Sequence, residues 1–449
     1  MEKGYSKRGF IKQGSLIGMG AAVSGLMNAG EATETAPQPI DSQLIDTGKI
    51  GGITLRQLQE QYRTALFNRF LPRMDSLVID HQYGGFMCDY DIDLRTRLSA
   101  NKQTWSEGRG IWVYSFLYNH FGKDPHFLEV ARKSKDFILN HQPPENKFWI
   151  SSFTREGVPI SGPGDIYGNL YLAEGLTEFA KASGERRYLE MAKRILLEAM
   201  ACYDREDYRF PISYGPSGSQ QISAPRVLGH WMVFLWSATQ FLEQETDPEI
   251  ERLAGRCVDA IMKHHLNPEY GLLNEGLHHD LSLPPNEWAQ FSYFAIGIQT
   301  LWMLMFEAVR TRDTGLFLAT QKVFKKHLLV AADPVYGGYF RSLDNVSRYT
   351  YKVDKVLSLQ EEVLIGTLLL IEHTQDPFAR NHFAQTYAYV REKFMHPEFA
   401  FVVESGNRKL TDYSKKGVGN YHHPRHLMLN LLALERMIDR GGKPSGLFG

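Results

Sequence analysis

The chain has 449 residues, of which 43% are hydrophobic and 22% are charged, with a formal net charge of −1. This balance gives no electrostatic reason to expect nucleic acid or an anionic membrane as a partner. Aromatic residues make up 12% of the chain, which suits the stacking of sugar rings but equally suits the filling of a large core.

The N-terminal segment resembles a twin-arginine export signal in which Lys7 replaces the first arginine and Arg8 is the second. A weakly apolar run, too short to span a bilayer, follows at 14–27 and leads into a polar stretch. We therefore expect residues 1–39 to be an export signal and flexible segment, and 40–449 to be a single domain. The mature protein is expected in the periplasm or outside the cell, without membrane insertion. The alternative is a disordered cytoplasmic tail.

A short aromatic or glycine-rich element recurs six times along the rest of the chain. The elements begin at residues 83, 148, 208, 270, 336 and 399. Their spacing is nearly constant, which is the sequence signature of a repeat architecture.

Between these elements, apolar residues recur with a helical period and predict about twelve helices and no run of long strands. Six repeated helix pairs are the number that closes a ring. We therefore predict an all-α fold, an (α/α)6 barrel with short β-hairpins in its loops. The more apolar helices, 288–310 and 356–373, are expected in the inner ring, and the lysine-bearing helices 127–140 and 188–203 in the outer ring.

Early in the chain, Arg109 falls on an otherwise apolar predicted helix, with Trp105 and Trp112 about one turn to either side. A buried guanidinium is costly unless it is paired. Arg109 therefore either pairs with a structural carboxylate or serves a polar cleft. Further along, Lys355 and Glu362 lie seven residues apart on one apolar segment, which indicates either a lined cavity or an internal ion pair.

Near the C-terminus, His422 and His423 come just before Pro424, which suits the first turn of a final helix. The positive end of a helix dipole disfavours imidazolium, so a histidine there can act as a base; the alternative is two surface histidines in a turn. His423 precedes a proline and is expected to be extended. The HExxH motif is absent and no His/Cys/Asp cluster has metal-ligand spacing, so no metal or cofactor is expected.

Taken in order, these segments resemble the N-acylglucosamine 2-epimerase family over residues 55–440. The segment 83–112 is similar to the family pattern GGF…WxQGRxxW, 355–362 to KxWWxQxE, and 422–425 to HxPR. The resemblance implies a sugar epimerase or aldose–ketose isomerase that removes a proton next to a carbonyl and passes through an enediolate. It implies that His422 is the acid/base, Arg109 steadies a sugar oxygen and Glu362 holds a hydroxyl. The substrate-binding residues that it implies are Trp105, Trp112, Lys355, Gln299, His230, Trp302 and Arg425.

Two departures from the family pattern bear on the reaction. In the segment similar to GHxxExxW, aligned on Trp302, Ile296 replaces the histidine and Gln299 replaces the glutamate. Another family histidine falls near Phe234, with His230 one turn before it. Inverting a carbon needs proton delivery to the opposite face, whereas moving a proton from C2 to C1 on one face needs one base. The departures therefore argue against plain 2-epimerisation and leave one-base isomerisation, another reaction in this cleft, or no catalysis.

Two other functions stay open from the sequence. A glycoside hydrolase or lyase on the same barrel would need two carboxylates beside the cleft, such as Glu362 with Asp165 or Glu275. A sugar-binding protein without catalysis needs neither. A small carbohydrate is the expected partner in every case.

Overall fold

Residues 48–448, except 92, 145–146, 396–402 and 414–417, are described by a computed structural model of the chain. The chain begins there with helix α1 (Leu55–Arg63), which continues through π-helical turns on both sides of the short α2 (Leu71–Arg73). The helices that follow within the described residues are α3 (Thr104–His120), α4 (Pro125–Leu139), α5 (Ile166–Ser183), α6 (Arg186–Tyr203), α7 (Leu228–Leu242), α8 (Pro248–Asp259), α9 (Phe294–Thr311), α10 (Thr314–Ala331), α11 (Leu357–Thr374), α12 (Pro377–Lys393) and α13 (His422–Asp439).

The helices form two concentric rings. Helices α3, α5, α7, α9, α11 and α13 contact one another in this order, and α13 returns to contact α3. Each is covered on the outside by the helix that follows it, except that α13 is covered by the N-terminal α1. The predicted (α/α)6 barrel is confirmed. All described residues fall in one unit that spans residues 46–449, and none of the described helices is long and apolar enough to cross a membrane.

Burial separates the two rings as the sequence predicts. All 15 residues of α7 and 16 of the 18 residues of α11 are buried, whereas α4 and α6 each keep a polar, exposed face. The predicted inner helix at 288–310 begins later, at Phe294. Trp288 lies instead in a separate 3-10 turn that Asn286 caps, and Ser292 then pairs with Leu343 as an isolated β-bridge.

Short strands lie between the helices and before α1. They are β1 (Lys49–Ile50), β2 (Ile53–Thr54), β3 (Asp89–Tyr90), β4 (Arg97–Ser99), β5 (Lys102–Gln103), β6 (Ser152–Phe153), β7 (Arg226–Val227), β8 (Gly276–Leu277), β9 (Ser342–Asn345), β10 (Thr350–Lys352), β11 (Lys355–Val356) and β12 (Ser405–Gly406). Within the described residues they pair as six two-stranded antiparallel sheets. Strands β5, β7 and β11 each lead directly into an inner helix, so these sheets fix where α3, α7 and α11 begin.

Two glycine-rich turns that are four repeats apart are each held by an ion cluster of the same composition. In each cluster a buried aspartate binds a buried lysine at 3.0 Å and a half-exposed arginine. The two clusters are Asp80, Lys102 and Arg155, and Asp333, Lys355 and Arg408. In both, the lysine also donates to a backbone carbonyl of the turn, that of Gly84 or Gly337. The repeat predicted from the sequence therefore extends to its polar contacts.

Two sequence predictions fall outside the described residues. The export signal lies within residues 1–47, and the sixth repeat element, at 399–401, lies in the gap before β12.

Candidate active site

A cleft of about 460 Å³ opens at the end of the barrel where the inner helices begin. Trp105 and Arg109 reach it from the first turns of α3, and Glu361 from the first turns of α11. His422 and His423 reach it as the first two residues of α13. The cleft thus lies between three inner helices and receives the positive ends of their dipoles.

At the cleft, His422 is held by a buried carboxylate. Its Nδ1 lies 2.8 Å from Oε1 of Glu362, and its side chain is 29% exposed whereas that of Glu362 is 2% exposed. Burial lowers the pKa of His422 below its ordinary value, although Glu362 opposes the shift. A neutral imidazole carries one N–H. When the proton is on Nδ1 and is donated to the carboxylate, Nε2 has no proton. His422 therefore offers the cleft an unprotonated ring nitrogen, which is the state that a general base requires.

Glu362 is in turn fixed by two donors that lie deeper in the barrel. Trp302 donates from Nε1 to Oε2 at 2.7 Å, and the fully buried Arg425 donates to Oε1. Burial raises the pKa of the Glu362 carboxyl, but Arg425 and His422 together bring it below its ordinary value. With its amide oxygen turned towards Arg425, Gln299 accepts from Nη1 at 2.9 Å and from Nη2 at 3.0 Å. Because Gln299 is neutral, the carboxylate of this pair that binds Arg425 is that of Glu362.

Arg109 is placed by aromatic rings. Its guanidinium carbon lies 4.0 Å from the ring centre of Tyr171 and 4.7 Å from that of Trp105, and Nη2 donates to the Tyr171 hydroxyl at 2.7 Å. Its Nε has no hydrogen-bond partner among the described residues. Of the two possibilities that the sequence left open, the structure thus favours a cation that serves the cleft.

The structure brings together only part of the predicted site. His422, Arg109 and Trp105 line the cleft, and Trp105 is 43% exposed there. Glu362 lies directly behind His422, so it positions the histidine instead of facing a sugar. Arg425, Gln299 and Trp302 form the layer behind Glu362 and are buried. They act on the site through Glu362, not as direct sugar contacts.

Three predicted substrate-binding residues lie away from the cleft, namely Trp112, Lys355 and His230. Trp112 is fully buried and donates to Gln240, because it lies two turns deeper along α3 than Trp105. Lys355 precedes α11 in β11, where it binds Asp333, so it shares neither a helix face nor an ion pair with Glu362.

His230, which the resemblance implied as a substrate-binding residue, does not line the cleft. The residue is fully buried, and the rings of Tyr167 and Phe210 each lie 4.6 Å from its own. Neither ring nitrogen has a hydrogen-bond partner among the described residues, and burial lowers its pKa well below the ordinary value. It is a neutral core histidine.

The prediction for His423 was also wrong in part. It lies inside the first turn of α13, not in an extended segment, because Pro424 occupies a first-turn position whose missing N–H costs no helical hydrogen bond. The two histidines do turn to different partners, since His423 binds Glu361 in a very close contact. Both nevertheless line the cleft.

Sequence reasoning missed several residues around the cleft. Tyr171 from α5 and Tyr421 from the N-cap of α13 flank Arg109, with ring centres 4.0 and 5.0 Å from its guanidinium carbon. Glu361, together with His423 and His426, forms a group of possible metal ligands from two helices. Three histidines within five residues at 422–426 were the available signal for this group.

The fold and cleft define a class, that of (α/α)6-barrel proteins with a histidine, a carboxylate and an arginine at the mouth of the inner ring. A family model for N-acylglucosamine 2-epimerase (GlcNAc 2-epimerase) matches residues 84–423. The chain therefore belongs to the N-acylglucosamine 2-epimerase family. The resemblance seen in the sequence is confirmed, and the expectation of an enzyme of the carbohydrate epimerase type agrees with this membership.

Relatives and solved structures agree with this assignment. The N-acylglucosamine 2-epimerase of Bos taurus is 24% identical over 402 residues, which cover 84% of this chain and 93% of that protein. A cellobiose 2-epimerase of Dictyoglomus turgidum is 28% identical over 144 residues, or 31% of this chain and 36% of that protein. The structure of cellobiose 2-epimerase from Spirochaeta thermophila superposes with a TM-score of 0.74 at 16% identity, over 86% of this chain and 98% of that one.

Proposed function

We propose that the protein is an aldose–ketose isomerase that acts on a free or reducing-end sugar through an enediolate. The observation that carries the proposal is the His422–Glu362 pair, because His422 and Arg109 line one cleft and a carboxylate at Nδ1 favours a free Nε2. The names of the relatives, N-acylglucosamine 2-epimerase and cellobiose 2-epimerase, likewise refer to a change at position 2 of a sugar.

In the proposed reaction, Nε2 of His422 takes the proton from C2 of the open-chain aldose. The electron pair forms the C1–C2 double bond, and the carbonyl oxygen becomes an oxyanion beside the Arg109 guanidinium. The hydroxyl proton then passes from O2 to O1, and His422 returns its proton to C1, which gives the ketose. A fixed cation next to developing negative charge is an effective catalytic device, because it needs no reorganisation during the reaction.

A single base is proposed because the family's second histidine position holds Ile296, which packs against the core. The imidazole ring of His230 does not reach the cleft either, since it is buried among aromatic residues. Transfer of one proton between adjacent carbons on the same face requires no second base. The sequence departures therefore support isomerisation ahead of inversion at C2, although His423 also lines the cleft and binds Glu361 through Nδ1.

The carboxylates named for a hydrolase are not arranged as a pair at this cleft. Asp165 caps α5 by accepting from the backbone N–H of Tyr167, and Glu275 is fully buried and accepts from Tyr214. The glycoside hydrolase or lyase alternative thus has no catalytic pair among the residues proposed for it.

The proposal is tested by incubating the purified protein with a panel of free aldoses and reducing disaccharides and following the products by NMR. An aldose converted to its 2-ketose supports it. A product inverted at C2 would instead make the protein an epimerase, cleavage of a disaccharide would make it a hydrolase, and binding without any product would leave a carbohydrate-binding protein.

We also propose that the protein is exported through the twin-arginine-like signal at Lys7-Arg8 and is cleaved between about residues 27 and 36. Mass spectrometry of the protein recovered from its native cell envelope measures the mature N-terminus. An intact N-terminus that includes Ile11 would contradict export by cleavage.

A further inference from the structure

Besides the His422–Glu362 pair, the same two helices bring together a second group of ionisable side chains. Glu361 from α11 meets His423 and His426 from α13, and one ligand atom of each lies within 4.8 Å of the others. Consecutive residues on a helix point about 100° apart, so this group lies to one side of Glu362 and His422. His423 and His426 are three residues apart and therefore share one face of α13.

The three side chains are arranged around the Glu361 carboxylate. Nδ1 of His423 contacts Oε1, and Nδ1 of His426 lies 3.4 Å from the same oxygen. Glu361 is 1% exposed, His426 3% and His423 8%. One carboxylate with two histidines is a set that carries a net negative charge when both rings are neutral.

Two atoms of the group have no hydrogen-bond partner among the described residues. They are Oε2 of Glu361 and Nδ1 of His426, and both are buried. A buried polar atom without a partner costs about 1–3 kcal/mol, and more for a charged group. A cation bound by the group would supply the partner that these atoms lack.

A further layer orients His426. Its Nε2 lies 2.9 Å from the hydroxyl of Tyr62, which accepts from Nδ2 of Asn430 at 3.0 Å. Histidines that bind metals usually have their second ring nitrogen hydrogen-bonded in this way, which fixes the ring and directs the other nitrogen to the ion. Tyr62 comes from the outer helix α1 and Asn430 from α13, so the support is built from both rings of the barrel.

We infer that Glu361, His423 and His426 form a binding site for a divalent transition-metal ion, for which Zn²⁺ fits the ligand set best. Two histidines and one glutamate are ligands that zinc sites use when they keep a coordination position open. Glu361 and His423 line the cleft, which gives the ion an open side there. His426 also lines a second cavity of about 430 Å³ on the side of α1, which gives a second route of entry. The site goes beyond the proposed isomerisation, no step of which uses it.

The test uses the full chain after treatment with a chelator, titrated with Co²⁺ alone as a spectroscopic probe and then with Zn²⁺. We expect one Co²⁺ per chain, with visible d–d absorption that Zn²⁺ abolishes. His426→Asn and Glu361→Gln should weaken Co²⁺ binding by more than about 100-fold, since even the loss of an outer-layer partner costs about 10–100-fold. Tyr62→Phe, which removes only a hydroxyl, should weaken it within that smaller range.

His422→Asn is the matched control, because it removes the neighbouring histidine and leaves the group intact. It should bind Co²⁺ as the unmodified chain does, whatever happens to its activity. The inference is overturned if the unmodified chain binds no Co²⁺ at micromolar concentrations, or if Tyr62→Phe and His426→Asn both bind it unchanged. Either result would mean that the three side chains form a hydrogen-bonded group without an ion. Neither would affect the proposed isomerisation, which is measured by its products.

Discussion

Oε1 of Glu362 lies 2.8 Å from Nδ1 of His422 and also accepts from the buried Arg425, so one carboxylate oxygen joins a cleft histidine to a charge in the core. The arrangement fixes both the ring orientation and the protonation of His422. Positioned general bases contribute about 10²–10⁴-fold to rate, so His422→Asn should lower kcat by that factor. The exposed His264 offers a matched control, since His264→Asn should leave kcat unchanged. Unreduced turnover in His422→Asn would exclude this residue as the base.

Glu362 is expected to support the fold as well as the histidine. Glu362→Gln leaves the guanidinium of Arg425 in the core without its carboxylate, and breaking a buried ion pair costs about 3–5 kcal/mol. The free energy of unfolding, measured by urea denaturation, should fall by about that amount. Replacing Arg425 by Met in the same chain should recover part of the loss, because no unpaired charge then remains. Equal stability of Glu362→Gln and the unmodified chain would show that the two charges are not coupled.

Arg109 should matter for turnover far more than for folding. It is partly exposed in the cleft and is held by Tyr171 and Trp105, and it forms no ion pair with a carboxylate among the described residues. Arg109→Ala should therefore lower kcat/KM about 10²-fold or more, as the loss of one oxyanion-stabilising group does, with little change in Tm. Steady-state kinetics and circular dichroism measure the two effects. If the Arg109→Ala variant were already unfolded at room temperature, Arg109 would instead be a structural residue.

Lys355 should behave in the opposite way. Its ammonium group binds the buried carboxylate of Asp333, so Lys355→Met should destabilise the barrel by about 3 kcal/mol while folded molecules keep their kcat. Burial raises the pKa of Asp333, but Arg408 and Lys355 hold it well below its ordinary value. A lowered carboxyl pKa contributes stability above the unfolded-state pKa, about 3.9, and that contribution is lost as the pH falls through the folded-state value.

The stability difference between Lys355→Met and the unmodified chain should accordingly shrink below about pH 4. Lys102→Met is the matched variant, since Lys102 holds Asp80 in the equivalent repeat. A loss of kcat in Lys355→Met without a loss of stability would return Lys355 to the substrate site.

The barrel could be predicted from sequence because the same sequence pattern occurs six times along the chain. Six aromatic elements at near-constant spacing and the helical period between them specify hairpins, and the number of hairpins specifies the ring. The start of α9 could not be predicted, because Trp288 continues the apolar pattern although Asn286 caps a separate turn before the helix.

His422 and Arg109, which were assigned from their positions in motifs, do line the cleft. The site was not predicted where depth in the barrel decides. Trp105 and Trp112 lie on one helix, yet seven residues at 1.5 Å each place Trp112 about 10 Å further from the cleft. His230 and Lys355 were assigned to the site from the resemblance to the family, but partners distant in sequence determine what such residues do.

The most direct test of the one-base reaction is the fate of deuterium at C2 of the aldose substrate in ordinary water. One base that works on one face of the sugar should return part of the label to C1 of the ketose, and ¹H NMR of the product measures that fraction. We predict a detectable fraction of C1-deuterated ketose, with C2 of the recovered aldose not inverted. Complete loss of the label together with an aldose inverted at C2 would contradict the account, since it would require a second base on the opposite face.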